Sequence, residues 1–284
     1  MATTQKPNLP LTEQFLQYGR YVRNWSPRTV ECYRQALREC PATITKSSLE
    51  AAVVAMRERG LTPGGANLRA RAINSYLTWL HEDRHLRERL KIKMLRNPPK
   101  PIQTLTEKDI QRLATFRPKG RIQTRTWMLA MVLLDCGLRL SEALTLQCEN
   151  VDLDNLVLRV LGKGHKERLV PISPELRKHL FRFLNQAKGR FVFAAYSGTS
   201  LDRHNSYQEL RDLCRAVGIT THVYPHCFRH SYAVHATKNG LDVFRLSRIL
   251  GHSSINTTQI YLRSMGFDHL QDGAKCSPLG RAGA

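Results

Sequence analysis

Pro98, Pro99 and Pro101 occupy three of four consecutive positions. That cluster limits what the chain can fold into more than any other feature. Each proline fixes φ and removes a backbone donor, so no helix can run through MLRNPPKPIQTLTEKDI, and the stretch reads as a stiff connection between two folding units. With 284 residues, the chain is long enough for two ordinary domains. The expected division is a first domain over 1–98, a linker over 99–103 and a second domain over 104–284. The small-residue ending AKCSPLGRAGA is expected to be flexible from about residue 273.

The first domain reads as helical throughout. Leu11, Phe15, Leu16 and Tyr18 begin one amphipathic segment. SPRTVECYRQAL follows, with Ser26 placed to cap, Pro27 at the first helical position, and Val30, Tyr33 and Leu37 on one face. A third helix runs from Leu49 to Met56 and stops at Gly60. A fourth opens at Pro63 and carries the stripe Leu68, Ile73, Tyr76, Leu77 and Leu80. The interleaved Arg23, Arg28, Arg34, Arg69 and Arg71 are candidates for a phosphate-facing surface; ordinary solvated helix faces are the competing reading. In the second domain, Thr106 caps a helix, WMLAMVLLDCGL continues as another, and LVLRVL and ERLVPI read as two strands joined by the turn GKGHK. Helices return from Pro174. The expected fold class is mainly α: an N-terminal helical bundle, then a mixed α/β domain with a small antiparallel sheet.

Charge narrows the partners. Lysine and arginine number 44 against 23 acidic residues, a net charge of +21. The excess is +9 over residues 1–98 and +12 over 99–284, so both parts are drawn to a polyanion, and nucleic acid is the default partner. No run of 18 apolar residues appears, and the N-terminus lacks the apolar core of a signal peptide, which points to a soluble, cytoplasmic protein without a membrane partner. Seven cysteines, an odd number at scattered spacing without a C-x-x-C pair, argue against a disulfide framework and a zinc site. Neither a metal nor a cofactor is expected.

Four places in the second domain carry chemistry. In CGLRLSEALTL, Arg139 stands between leucines ahead of a short helix that Ser141 is expected to cap. A guanidinium there needs an anionic partner, either a substrate or Glu142. In GKGHKERLVPI, Lys163 sits between two glycines at a hairpin tip, mobile enough to enter a groove; Lys166 is the competing choice. In YPHCFRHSYAVHATKNG, Pro225 suits a helix start and Gly240 its end. His226 and Arg229, three apart, share a face, and the first turn favours a neutral imidazole and attracts phosphate. In LGHSSINTTQIY, Gly251 stops a helix and His252 lies in the loop. Ser254 can cap the next helix, which carries Tyr261. Together these form a phosphoryl-transfer set. Two guanidinium groups clamp non-bridging oxygens, a histidine takes the proton of a tyrosine whose pKa lies near 10, and a lysine protonates the leaving oxygen.

These motifs resemble those of the tyrosine recombinases, the phage integrase family. GLRLSEAL is similar to the family's first-arginine motif, GKGHKERLVP to its hairpin lysine motif, HCFRHSYA to its His-x-x-Arg box, and LGHSSINTTQIY to its closing histidine and nucleophile. Phe228 replaces the leucine common in the box. The resemblance covers roughly residues 104–263, and the N-terminal helices look like the family's core-binding domain. It implies that Arg139 and Arg229 clamp the scissile phosphate and that Tyr261 attacks it, leaving a 3′-phosphotyrosyl link and a free 5′ hydroxyl. Lys163 would be the general acid, His226 would assist proton transfer, and His252 would hydrogen-bond the phosphate. The bond energy stays in the phosphotyrosine, so neither ATP nor a metal is implied. A homotetramer acting on two double-stranded DNA recombination sites through a Holliday junction is also implied, alone or with a related recombinase or accessory factor. The expected form is compact and Xer-like, without a separate arm-binding domain before residue 11, from a prokaryotic or mobile-element source. Phe267 and Leu270 are candidates for docking on a neighbouring subunit. A type IB topoisomerase-like enzyme and a catalytically silent DNA-binding factor are the rival readings.

Overall fold

The computed structural model describes residues 9–98, 101–162, 166–186, 189–252 and 254–264. Lys163, Phe267 and Leu270 lie outside them. The chain divides into two compact units, Met1–Lys100 and Pro101–Ala284.

The first unit contains α1 (Leu9–Gln17), prolonged by a wider π turn over Tyr18–Val22, α2 (Pro27–Leu37), α3 (Lys46–Glu58) and α4 (Pro63–Glu82). Ser26 caps α2 by accepting the Thr29 N–H at 3.1 Å, and Pro27 follows at N1, where its missing donor costs nothing. The core gathers Phe15, Leu16, Leu37, Leu49, Ile73, Tyr76, Leu77 and Leu80. The expected stripe on α4 is wrong at Leu68, which is 63% exposed. The buried face runs instead through Ala66, Ala70, Ile73, Leu77 and Leu80, because small alanines let the N-terminal half of α4 pack closely while Leu68 falls on the opposite side. Two asparagines one heptad apart on α4 fasten the segment after it. Asn67 donates to the Leu95 carbonyl at 2.9 Å and accepts the Leu95 N–H at 2.8 Å. Asn74 does the same with Ile92, at 3.0 and 2.7 Å. Each carboxamide replaces a neighbouring strand for one residue of extended backbone.

The second unit is built on α6 (Gly120–Cys136), whose Trp127, Met128, Leu129, Ala130, Val132, Leu133 and Cys136 are buried almost all round the helix. Against it pack α5 (Glu107–Thr115), capped by Thr106 in a reciprocal box with Asp109, and α8 (Pro174–Leu184), α9 (Arg203–Ala216) and α10 (Pro225–Lys238). A three-stranded antiparallel sheet joins β1 (Val151–Asp152), β2 (Val157–Leu161) and β3 (Glu167–Pro171) in the order β1-β2-β3. The third strand, β1, is only two residues long and leaves no periodic trace in the sequence. Register pairs Leu158 with Val170 and Val160 with Arg168. Leu158, Val160 and Val170 are buried, so the two-residue period of β3 turns Arg168 to the core side and leaves Leu169 61% exposed. The short helix α7 (Leu140–Leu144), then α11 (Val243–Leu250) and α12 (Asn256–Ser264), complete the unit. Ile102 packs on a small cluster of Ala233, Leu246, Leu250 and Tyr261, and the Leu105 N–H donates to Ser231 Oγ at 2.7 Å.

Candidate active site

The C-terminus of α11 organises the site. Gly251 adopts the left-handed conformation, φ +64°, which turns the chain out of the helix at little steric cost. The Gly251 N–H returns to the Arg248 carbonyl at 3.1 Å and the His252 N–H to the Ser247 carbonyl at 3.1 Å. The next three carbonyls receive three arginines. Arg168 Nε donates to Ile249 O at 2.8 Å, Arg229 Nη2 to Leu250 O at 2.7 Å, and Arg139 Nη2 to Gly251 O at 3.1 Å. Arg139 Nη1 also reaches Leu250 O at 3.5 Å. A helix C-terminus carries partial negative charge and unsatisfied acceptors, so it draws and orients cations.

The arginines come from distant parts of the unit. Gly137, φ +62°, ends α6 and has Tyr232 so close that a Cβ would lie 2.4 Å from its ring. Its carbonyl takes Arg229 Nη1 at 2.8 Å. Arg139, two residues later, is the N-cap of α7, so Ser141 is not the cap. The Glu142 carboxylate takes that place: it accepts the Arg139 N–H at 2.9 Å and Arg139 Nη1 at 2.8 Å. Glu142 also accepts Arg168 Nη1 and Nη2, at 3.1 and 2.8 Å. Burial pushes the Glu142 pKa up, but hydrogen bonds and charge from Arg168 and Arg139 more than reverse this and hold it below its ordinary value. Two guanidinium groups thus bond one carboxylate, and Arg229 lies within its field. Arg229 is 3% exposed, and burial together with Arg139 lowers its pKa to about 10, so it stays charged at neutral pH. Arg139 is the most open of the three, at 32%.

The nucleophile candidate sits beside them. Tyr261 on α12 is 2% exposed, packed on Ala233, Leu246 and Leu250. Burial raises its pKa, while the charges of Arg229 and Arg139 act to lower it. Its hydroxyl lies 3.0 Å from His230 Nδ1. One turn earlier on the same helix face, Thr258 Oγ1 lies 2.8 Å from His252 Nδ1. Ser254 contributes at the start of α12, accepting the Asn256 N–H at 3.3 Å. Burial, followed by Arg229, Arg139 and Arg168, depresses the His252 pKa to about 4. His226 stands in the first turn of α10, facing solvent, and partial desolvation followed by Arg229, Arg203 and Arg139 lowers its pKa.

Of the six expected catalytic positions, Arg139, His226, Arg229, His252 and Tyr261 therefore share one electrostatic neighbourhood. Glu142, the partner expected for Arg139, joins them, and so do Arg168, His230 and Thr258, which had not been singled out. Arg168 left no signal, because its neighbour Leu169, 61% exposed, is the residue that reads as buried. His230 had one, standing four residues after His226 on one helix face. The five arginines of the first unit divide in two. Arg34 bonds Glu13 and Arg69 lies 3.9 Å from Glu39, whereas Arg23, Arg28 and Arg71 face solvent. Among the described residues, no group of His, Cys, Asp and Glu is arranged to hold a metal ion, and no helix is long and apolar enough to cross a membrane.

Residues 103–266, the stretch that runs past Arg139, Arg229, His252 and Tyr261, match the model of the phage integrase family. The chain belongs to the phage integrase family. Relatives in that family extend over nearly the whole sequence. Tyrosine recombinase XerC of Xanthomonas campestris is 30% identical over 278 residues, covering 92% of this chain and 86% of that protein. Tyrosine recombinase XerD of Listeria monocytogenes is 26% identical over 280 residues, covering 88% and 93%. Solved structures share the fold at lower identity. The Tn1549 transposon integrase in complex with a circular intermediate DNA superposes with a TM-score of 0.74 at 19% identity, covering 88% of this chain and 94% of that one. XerH recombinase bound to its difH substrate gives 0.71 at 17%, covering 98% and 91%. The small sheet, α7, α10 and α12 of this phage integrase-family chain are thus parts of a recombinase fold.

Proposed function

We propose that Tyr261 is the nucleophile of this recombinase and that Arg139 and Arg229 hold the phosphate it attacks. The activity is site-specific tyrosine recombination. The observation that carries the residue assignment is the placing of a buried tyrosine hydroxyl within the field of two arginines whose orientation is set by main-chain carbonyls.

In this reading, a phosphodiester lies against Arg139, the most open of the three guanidinium groups, with Arg229 behind it. The two charges neutralise what develops on the non-bridging oxygens, which is the electrostatic work a metal does elsewhere. Both arginines are fixed before DNA arrives, so little reorganisation remains for the reacting state. Tyr261 displaces the 5′ oxygen and keeps the 3′ phosphate as an ester. Rejoining then needs only a 5′ hydroxyl, without ATP or a metal ion. His252, held by Thr258, hydrogen-bonds the phosphate in this reading. His226 assists proton transfer, and Lys163 protonates the leaving oxygen. The basic residues Arg23, Arg28 and Arg71 of the helical first unit contact the DNA backbone, and Arg34 and Arg69 join them by exchanging their acidic partners for phosphate. The first unit is a core-binding domain, and a homotetramer assembles on two sites and resolves through a Holliday junction.

The test is covalent capture. On a nicked suicide substrate, the native chain forms a protein–DNA adduct, and Tyr261→Phe binds DNA without forming one. An adduct with Tyr261→Phe removes the assignment. For the acid, Lys163→Ala regains cleavage on a 5′-bridging phosphorothioate, whose thiolate leaves without a proton. Rescue of Lys166→Ala in its place moves the role to Lys166.

A further inference from the structure

His230 is the imidazole that touches the Tyr261 hydroxyl, through Nδ1 at 3.0 Å, with the two rings 5.7 Å apart. It lies one turn beyond His226 on α10, and their rings are 6.1 Å apart and inclined at 31°. The three side chains are neighbours in turn, from the buried phenol to His230 and from His230 to His226, which faces solvent. We propose that His230 is the general base that takes the Tyr261 proton, with His226 as the outer station through which that proton reaches water. The proposal rests on Tyr261 being the nucleophile.

The step balances without any co-reactant beyond the DNA. With the resting proton on Nε2, His230 Nδ1 accepts from the phenol. As the phenolic oxygen bonds to phosphorus, the O–H bond breaks and its proton passes to Nδ1, giving an imidazolium. The bond from phosphorus to the 5′ oxygen breaks, and that oxygen leaves with the electron pair and takes a proton from the general acid. The imidazolium releases its Nε2 proton towards His226 and solvent. Rejoining runs the same transfers in reverse.

Groups facing His230 explain why the base works only with substrate in place. On its own helix they are His226 and Arg229, and Tyr261 faces it from α12. Burial, then His226 and Arg229, hold the His230 pKa down at about 4, so the ring rests neutral. A phosphodiester against Arg139 and Arg229 cancels part of that positive field and makes the ring more basic as the substrate docks.

The experiment uses the full chain, a nicked suicide DNA and a 5′-bridging phosphorothioate, so that the leaving group needs no acid. Single-turnover adduct formation is compared for the native chain, His230→Ala, His230→Asn and His226→Ala, with and without added imidazole. General-base removal costs about 10²–10⁴-fold. His230→Ala and His230→Asn should both fall by about a hundredfold or more with DNA binding intact, imidazole should restore part of the His230→Ala rate, and His226→Ala should lose less. Asparagine keeps a polar group near Nδ1 but no basicity. Native-like rates in His230→Asn would show that residue 230 only positions the tyrosine, and the proposal would fail. Equal rates in His230→Ala and the native chain would overturn it as well. Tyr261→Phe runs alongside: an adduct there sinks the nucleophile assignment itself, a different outcome from either.

Discussion

Arg168 places its two terminal nitrogens on the two oxygens of the Glu142 carboxylate, at 3.1 and 2.8 Å, while both side chains are almost wholly enclosed. The pair ties β3 to α7, and Glu142 in turn fixes Arg139 through its main-chain N–H and its guanidinium. Glu142→Gln leaves two arginines without their shared anion. Removing one partner of a buried pair typically costs about 3–5 kcal/mol. The variant should unfold at markedly lower urea and form adduct more slowly. Its deficit should shrink in acid: the native carboxylate holds its pKa below the ordinary value, so its contribution is complete above the unfolded value and disappears as pH falls through the folded one. Equal urea midpoints for variant and native chain at pH 7 would contradict this account.

His230 and His252 set a second, higher pH window. Both have pKa near 4 in the folded chain against 6.5 for a free imidazole. Below about pH 6.5 the unfolded chain binds protons that the folded one refuses, so stability declines from there down to about pH 4 and then levels for these groups. Urea midpoints taken at pH 7, 5.5 and 4.5 should show a steeper loss for the native chain than for the double variant His230→Gln, His252→Gln. Parallel curves would mean that neither ring is held neutral.

Two glycines differ in what a methyl group would meet. At Gly137 an added Cβ lies 2.4 Å from the Tyr232 ring and 2.9 Å from Leu250 Cδ2, at φ +62°. At Gly251 the neighbour is the Arg168 guanidinium at 3.1 Å, with φ +64°. Left-handed backbone alone costs a non-glycine residue about 1–2 kcal/mol. Gly251→Ala should lose about that much and slow cleavage through Arg168, whereas Gly137→Ala should lose about 3 kcal/mol or more through added overpacking. Denaturation of the two variants gives the order, and the reverse order would refute the packing argument.

In the first unit, Asn67→Ala or Asn74→Ala removes both hydrogen bonds to one residue of the segment after α4. Lost partners of buried groups cost about 1–3 kcal/mol. Trypsin should then cut faster after Lys91, Lys93 and Arg96, with mass spectrometry locating the sites. Unchanged cleavage in the double variant would show that apolar anchors such as Ile92 suffice.

Much of this arrangement is legible in the residues themselves. Ser26, Pro27, Thr106 and Pro225 begin helices where local capping chemistry places them, since that chemistry acts over three or four residues. Arg139 declares itself by standing between leucines, whereas Arg229, His252 and Tyr261 become legible only as members of one set of motifs. What stays hidden depends on partners far along the chain. Arg168 reads as a solvated strand residue until Glu142, 26 residues away, and the Ile249 carbonyl, 81 away, are brought to it. Leu68 misleads because leucine suggests burial while the close packing at that level is done by Ala66 and Ala70. Ser141 misleads because serine is a common cap, yet the buried carboxylate of Glu142, the next residue, supplies the acceptor.

The cradle at the end of α11 consists of the carbonyls of Ile249, Leu250 and Gly251, and no substitution there deletes an oxygen. An alanine scan along this stretch would therefore report packing at Leu246 and Leu250 and pass over the groups that aim three arginines. Replacing a peptide unit with an ester, which weakens the carbonyl as an acceptor, is the perturbation that reaches them. Side chains in this region serve packing and the turn at Gly251, while the aim of the arginines is set by the backbone, so the most exacting part of the site is written in atoms that every residue shares.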